Sequence, residues 1–168
     1  MIQIQRIVVP MDFSECSRRG LKYAAALAER FGSEIVLVHA IEAPLNLPPQ
    51  TLVRLDPEGP PMPIMEYVRE AADRRLNALL AELDLVHVKA RGVIEVGDVR
   101  EVLLEHAKSL NADMIVMGTN GRKGLRHLLI GSVAEDIVRR SPVPVLTIRS
   151  TEEARPSHPP PPPSDNNE

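Results

Sequence analysis

Residues 114–121 have the sequence MIVMGTNG, and this stretch decides the fold. Its first four residues form an apolar run typical of a buried strand, and Gly118 begins a turn directly after them. The same arrangement occurs at residues 4–14, IQRIVVPMDFS, where a short apolar run leads into a polar turn. Both segments predict a strand that ends on a loop able to carry chemistry.

Outward from these two segments, strand and helix patterns alternate along the chain. Ile- and Val-rich runs predict five strands, at residues 4–9, 35–41, 86–94, 114–117 and 143–148. Apolar residues at helical spacing predict a helix in each interval, in the segments around residues 21–31, 65–83, 99–110 and 133–138. This alternation predicts an α/β fold with a doubly wound parallel sheet and helices on both faces.

Three polar residues mark predicted helix starts. Ser14 precedes the first helix, and Asp98 and Ser132 each have a glutamate three residues later, at Glu101 and Glu135. A capping residue with glutamate at the third following position is the pattern of a capping box. The sequence therefore predicts capping boxes at Asp98 and Ser132.

Two proline-rich segments interrupt the alternation. Residues 42–63 contain seven prolines, a density that predicts a long loop without helix or strand ladder. Residues 151–168 combine proline with Ser, Asp and Asn, which predicts a disordered tail. The predicted organisation is one α/β domain at residues 1–150 and a tail at 151–168.

Charge and aromatic content argue against nucleic acid as a partner. The formal net charge is −3, and residues 151–168, with four acidic side chains and one basic side chain, account for all of it. The remaining body is neutral, and two Phe and two Tyr are too few for a base-stacking platform. No apolar run has the length of a membrane span, and no signal-peptide pattern is present. With the single cysteine, Cys16, this predicts a cytoplasmic protein.

The loops after the first and fourth strands are the predicted site. In an open parallel sheet, ligands bind beyond the carboxyl ends of strands, where the strand order reverses. Glycines at 118, 121 and 131 allow an anion to approach the backbone, and Ser132 lies at a helix N-terminus, which favours phosphate. Basic side chains add positive charge to this loop, at Arg122, Lys123, Arg126 and His127.

The glycine spacing resembles the ATP motif of the universal stress protein family. Gly118, Gly121, Gly131 and Ser132 match the pattern Gly-x2-Gly-x9-Gly-Ser, and residues 10–14, PMDFS, resemble the first loop of that family. The resemblance extends over residues 1–149. It implies a Rossmann-like sheet with strand order 3-2-1-4-5 and a homodimer formed through the edge strand at residues 143–149.

The resemblance also assigns residues to ATP. Asp12 is expected beside the nucleoside, the backbone around Ala40 near the adenine, and the glycines with Ser132 and Val133 around the phosphates and ribose. Mg²⁺ or Mn²⁺ is expected to be held mainly by the phosphates. The full set of candidate binding residues is Pro10, Asp12, Ala40, Met117, Gly118, Gly121, Arg122, Gly131, Ser132 and Val133.

Each candidate also has a purely structural interpretation. The glycines serve turns equally well, Ser132 with Glu135 suffices as a helix cap, and Asp12 suits a turn. Neither a Walker A loop nor a dinucleotide fingerprint is present, and no activated nucleophile or paired carboxylate lies near the glycines in sequence. The first hypothesis is therefore an ATP-binding regulatory protein. The alternatives are a nucleotide-independent interaction protein that docks an unknown protein partner through its proline-rich segments, and a slow ATPase.

Overall fold

The structure, a computed structural model, describes residues 3–42, 48–54, 59–84, 87–119 and 131–149. The predicted contributions of Gly121 and Arg122 lie outside the described residues. The predicted disordered tail at residues 151–168 also lies outside them.

A five-stranded parallel sheet forms the centre of the molecule. In chain order the elements are β1 (Arg6–Pro10), α1 (Glu15–Phe31), β2 (Glu34–Ile41), β3 (Leu52–Val53), β4 (Met62–Pro63), α2 (Ile64–Asp84), β5 (Ala90–Val96), α3 (Val99–Ser109), β6 (Met114–Gly118), α4 (Ser132–Arg140) and β7 (Val145–Ile148). The sheet has the order β5-β2-β1-β6-β7, and every neighbouring pair in it is parallel. Numbered among themselves, these strands have the order 3-2-1-4-5, which confirms the predicted fold.

Two apolar layers cover the two faces of the sheet. Successive side chains of a strand point to opposite faces, so Ile7 and Val9 pack in a cluster with α1 and α2. Val8, between them, packs in a second cluster with α3 and α4. All three side chains are fully buried. Burial on both faces explains why the strands are continuous apolar runs rather than alternating ones.

Helix α2 is amphipathic and covers β5 and β2. Its buried face carries Leu76, Leu79 and Leu83, and its opposite face carries exposed charged residues that include Arg74. Among the helices of the described ranges, none is long and apolar enough to cross a membrane.

Two of the predicted helix caps are found, at Ser14 and Asp98. The Ser14 side chain accepts a hydrogen bond from the N–H of Ser17. The Asp98 carboxylate accepts from the N–H groups of Arg100 and Glu101. Each cap satisfies N–H groups that the first helical turn leaves without a carbonyl partner.

The predicted capping box at Ser132 is wrong. Gly131 is the N-cap residue of α4, and no side chain of the described residues caps this helix. Ser132 is instead the first helical residue, so its hydroxyl lies one position too late to accept from the third N–H of the helix. Asp98 caps α3, but the capping box predicted there is not formed. The Glu101 carboxylate, which would complete the box, accepts instead from the guanidinium of Arg140 at 2.8 Å.

The prediction that residues 42–63 contain no strand ladder is also wrong. β3 and β4 form a short antiparallel pair in which Leu52 lies opposite Pro63. Proline has no N–H, and the bond there is donated by the next residue, from the N–H of Ile64 to the carbonyl of Thr51 at 2.8 Å. The third and fifth strands of the sheet begin later than predicted, at Ala90 and Val145.

Candidate functional site

The carboxyl ends of β1 and β6 lie side by side at the point where the strand order reverses. β1 pairs with β2 on one side and with β6 on the other, and its ladder with β6 joins Ile7 to Met114 and Val8 to Ile115. The chain leaves β1 toward β2, whereas β6 continues toward β7 in the opposite direction. Such a switch point opens a crevice above the strand ends, which is the usual ligand position of this fold class.

The loop after β1, residues 11–14, forms one wall of this crevice and is called the β1 loop. The N–H of Met11 donates to the carbonyl of Val38 at 2.9 Å, which ties the loop to β2. The carbonyl of Met11 lies 2.6 Å from Nδ1 of His39. Since a carbonyl only accepts, this contact places a proton on Nδ1 of the imidazole.

Asp12 closes the β1 loop on itself. Its Oδ1 accepts a hydrogen bond from the N–H of Ser14 at 2.9 Å. This is an Asx turn, which an aspartate side chain forms with a backbone group two residues later.

Phe13 has a backbone conformation that a bulky residue rarely adopts. Its φ is +64°, in the left-handed region, and its side chain is buried. The centre of its ring lies 4.7 Å from that of the His39 ring. The guanidinium carbon of Arg75, on α2, lies 4.3 Å from the centre of the Phe13 ring. Contacts from two other elements therefore hold this residue.

Gly118 ends β6 directly beneath the start of α1. A Cβ atom at this position would lie 2.5 Å from Sγ of Cys16 and 2.9 Å from its carbonyl carbon, closer than real Cβ atoms approach. Gly20 of α1 is similarly close to the backbone of Gly118. Packing against α1 is thus a sufficient reason for glycine at position 118. Cys16 is buried in this contact.

Backbone bonds fix both ends of the glycine-rich loop. The N–H of Thr119 donates to the carbonyl of Ile148 at 2.9 Å, and the carbonyl of Thr119 accepts from the N–H of Gly131 at 2.8 Å. The second bond brings the beginning of α4 back to the end of β6. It also occupies the Gly131 N–H, which the glycine pattern had suggested for an anion.

The beginning of α4, residues 131–134, forms the other wall of the crevice and is called the α4 start. The first helical bond runs from the N–H of Glu135 to the carbonyl of Gly131 at 2.9 Å. The N–H groups of Ser132, Val133 and Ala134 precede it and have no carbonyl four residues earlier within the helix. With no side-chain cap and the positive end of the helix dipole, the α4 start suits an anion.

Arg100 of α3 brings a positive charge to the α4 start. Its Nη2 lies 3.3 Å from Oγ of Ser132, its Nη1 is 3.3 Å from Oδ2 of Asp98, and its Nε is 4.0 Å from Oδ2 of Asp136. Sequence reasoning missed this residue. A signal was present, because an arginine in the first turn of a helix opposes the helix dipole and needs another reason to be there.

Asp98 stays ionised beside Arg100. Partial burial raises the pKa of its carboxyl, but hydrogen bonds from the N–H groups of Arg100 and Glu101, with the nearby guanidinium, outweigh burial and lower the pKa below its ordinary value. The carboxylate holds the Arg100 side chain in place. The Arg100 side chain remains about one third exposed, which leaves room for a further anionic partner.

The other described candidates lie along the same edge of the sheet. Pro10 pairs with Val38 at the end of β1, and Ala40 lies two residues beyond Val38 on β2. Met117 is buried in the core between the sheet and α3 and α4, and Ala40 and Val133 pack at the border of that core. The fold therefore brings all described candidates to one edge. In the described ranges, no group of three or more His, Cys, Asp or Glu side chains could hold a metal ion.

Fold and site together define a doubly wound α/β protein with its crevice at the switch point. The model of the universal stress protein family matches residues 3–149. A universal stress protein of Methanocaldococcus jannaschii is 30% identical over 145 residues, which cover 86% of this chain and 82% of that protein. The chain belongs to the universal stress protein family, as its glycine spacing predicted.

Solved structures have the same fold at lower identity. The universal stress protein UspA from Lactobacillus plantarum has a TM-score of 0.71 at 20% identity, with 89% of this chain and 100% of that chain covered. The universal stress protein from Archaeoglobus fulgidus in complex with dAMP has a TM-score of 0.60 at 21% identity, with 88% and 99% covered.

Proposed function

We propose that this chain binds ATP in the crevice between the β1 loop and the α4 start, and that the bound nucleotide regulates its interactions in a stress response. The observation that carries the proposal is the α4 start, an uncapped helix N-terminus tied by its first residue to the end of β6. Phosphate binds well to such a terminus because unpaired N–H groups and the helix dipole both favour an anion.

The two walls of the crevice suit the two ends of the nucleotide. Asp12 offers carboxylate oxygens that accept from ribose hydroxyls, whereas the same charge would repel phosphates. Phosphates therefore belong at Ser132 and Val133, with Arg100 as an additional cationic partner. The adenine belongs near the backbone of Ala40, with Pro10, Met117 and Gly118 forming the strand ends beneath. Gly121 and Arg122 are retained as candidates from the sequence.

An adenine nucleotide is also supported by the family. The Archaeoglobus fulgidus protein of the same fold was solved in complex with dAMP. ATP rather than a monophosphate is proposed here because Gly118, Gly121, Gly131 and Ser132 follow the spacing of the family's ATP motif. Mg²⁺ or Mn²⁺ would enter with the nucleotide, held mainly by phosphate oxygens. Binding without fast turnover is favoured, and slow hydrolysis is the alternative.

The same proposal includes a homodimer and a cytoplasmic location. β7 lies at an edge of the sheet, where unpaired backbone groups favour pairing with a second copy of the chain through residues 143–149. The mass in solution tests this, and light scattering at micromolar concentration should give twice the chain mass. A single-chain mass over that range would contradict the dimer.

ATP binding is tested on the purified full chain. Denaturation followed by chromatography of the supernatant should release an adenine nucleotide, and calorimetric titration of nucleotide-free protein should give saturable ATP binding. Asp12→Asn keeps the Asx turn but removes the charge, whereas Asp12→Ala removes both. We expect ATP affinity to fall in both variants, and further in Asp12→Ala.

Two results would overturn the proposal together. These are the absence of any adenine nucleotide in the purified protein and the absence of binding at millimolar ATP. Phosphate release that disappears with Ser132→Ala and persists through further purification would instead favour the slow ATPase.

A further inference from the structure

We propose that Arg75 is a positioning residue for the nucleoside, acting through the ring of Phe13 on the β1 loop. Its guanidinium lies over the Phe13 ring at 4.3 Å, and Phe13 directly follows Asp12. The proposal rests on the proposed function, since it concerns how Asp12 is presented to a bound nucleotide. It adds a residue from α2, far in sequence from the glycine motif.

The backbone of Phe13 needs such support. A left-handed φ brings Cβ close to the following carbonyl, which disfavours this conformation for every residue except glycine and, to a lesser degree, Asn and Asp. Strained residues of this kind persist only where surrounding contacts hold them, and they cluster at ligand sites. At Phe13, those contacts are made by the side chain.

Phe13 is held by one ring, that of His39, and by one cation, that of Arg75. Its ring packs at 4.7 Å against the His39 ring, while Nδ1 of His39 donates to the carbonyl of Met11 in the same loop. Arg75 lies over the Phe13 ring. A guanidinium near the centre of an aromatic face is attracted by the negative face of the ring. The Phe13 side chain is thereby fixed to both β2 and α2.

Arg75 differs from its neighbour in what it contacts. Arg74 forms a surface salt bridge with Glu70 at 3.5 Å, one turn earlier in α2. Arg75 forms no salt bridge within the ranges that the structure describes, and its guanidinium lies on Phe13 instead. Arg74 is therefore a matched control, an exposed arginine on the same helix with no contact to the β1 loop.

Holding Phe13 fixes the direction of Asp12. The Asx turn from Asp12 to Ser14 spans Phe13, so a change in the backbone of Phe13 would move the Ser14 N–H relative to the Asp12 carboxylate that it bonds. Loss of the cation on the ring would free Phe13 to relax, and Asp12 would lose its fixed direction. The α4 start would be unaffected, because it takes no part in these contacts.

The test compares two probes on the full chain, ATP and inorganic tripolyphosphate. ATP engages both walls of the crevice, whereas tripolyphosphate engages only the phosphate wall. We expect Arg75→Ala to weaken ATP binding about fivefold, as expected for loss of a partly exposed cation–π contact. Tripolyphosphate binding and the melting temperature should stay nearly unchanged. Arg75→Lys should retain part of the ATP affinity, and Arg74→Ala should retain all of it.

A second measurement needs no ligand. Amide hydrogen exchange of Ser14 should become faster in Arg75→Ala, because its N–H donates to Asp12 in the turn. Equal ATP affinity in wild type and Arg75→Ala, or an equal loss for both probes, would overturn the proposal while leaving ATP binding intact. If the wild type itself bound no ATP, the proposed function and this inference would both fall.

Discussion

The two walls of the crevice are built in opposite ways. The β1 loop is held in place by hydrogen bonds, since Met11 bonds to Val38 and His39 of β2, and Asp12 bonds to Ser14. The α4 start lacks a side-chain cap, and a cation from another helix stands beside its first hydroxyl. One wall is preorganised by hydrogen bonds, and the other presents N–H groups that have no acceptor among the residues that the structure describes.

This difference divides the work of binding one ligand. A preorganised wall recognises shape, because its groups lose little freedom when the ligand arrives. A wall of unpaired donors supplies affinity for charge, which is strong but unselective among anions. Selectivity for a nucleoside should therefore depend on the β1 loop, and affinity for phosphate on the α4 start.

Replacing Gly118 should disrupt both walls and have the largest effect. In Gly118→Ala the new methyl would meet the Cys16 backbone at 2.9 Å, so α1 would have to move from β6. We expect the free energy of unfolding to fall by about 3 kcal/mol, as for severe overpacking. Denaturant titration measures this.

Gly97→Ala is its control, because the nearest atom there, at 3.1 Å, belongs to the Val102 side chain and can shift. If Gly118→Ala were no less stable than Gly97→Ala, the contact between α1 and β6 would be looser than described.

Replacing Arg100 should affect the phosphate wall alone. Arg100→Ala removes the cation 3.3 Å from Ser132 Oγ, and we expect about tenfold weaker binding of both ATP and tripolyphosphate, since charged hydrogen bonds contribute about 1.5 kcal/mol or more. Calorimetry at two salt concentrations should give a shallower salt dependence than in the wild type. Arg139→Ala, which removes a surface pair with Glu135, is the control. A loss confined to ATP would contradict the division between the walls.

Adding a side-chain cap at Gly131 should raise the stability of the folded chain and lower its affinity for ATP. The φ of −62° and ψ of 150° at Gly131 suit serine, whose hydroxyl would accept from an N–H of the α4 start. Gly131→Ser should stabilise the chain by about 0.3 kcal/mol and weaken ATP binding about twofold, because the hydroxyl competes with phosphate. Thermal unfolding measures the change in stability, and calorimetry measures the change in ATP binding. Gly131→Ala, without a hydroxyl, should weaken binding less, and equal binding by all three proteins would contradict an anion at these N–H groups.

The smallest effect should come from the charge that holds Arg100. The pKa of Asp98 is lower in the folded chain than its ordinary value of 3.8. Its stabilising contribution is therefore complete above about pH 4 and is lost as pH falls through the lowered pKa. Asp98→Asn keeps a capping oxygen but does not titrate. It should lose less stability than wild type on acidification below pH 4, by under about 0.5 kcal/mol because the side chain is half exposed. Urea titrations of wild type and Asp98→Asn at pH 3 and pH 6 measure the free energy of unfolding. An equal loss in both proteins on acidification would contradict the prediction.

The sequence predicted the sheet and the edge on which the site lies. Ile- and Val-rich runs indicate strands buried on both faces. The glycine spacing indicates the family, and the resemblance to that family implies the strand order. The cap at Ser14 was predicted because capping of this kind depends on neighbouring residues. The N-cap of α4 was predicted at Ser132 but lies at Gly131. The sequence does not distinguish the two positions, because both residues can adopt the backbone angles of an N-cap.

Contacts between distant elements were beyond prediction. Arg100 meets Ser132, and Arg75 meets Phe13, only because α3 and α2 pack where they do. Helical spacing places Arg75 nearer than Arg74 to the apolar face of α2, but it does not identify Phe13 as the partner. The pairing of β3 with β4 was missed for a related reason, because Pro63 lacks a donor while its successor, Ile64, supplies one.

The bond between Thr119 and Gly131 has a consequence for how this family can diversify. It joins the end of β6 to the beginning of α4 at 2.8 Å. The relative position of these two elements therefore does not depend on the number of residues between them. Closing a loop that is twice as long costs only about 0.6 kcal/mol. Insertions and exchanges at this place are thus expected to cost little stability.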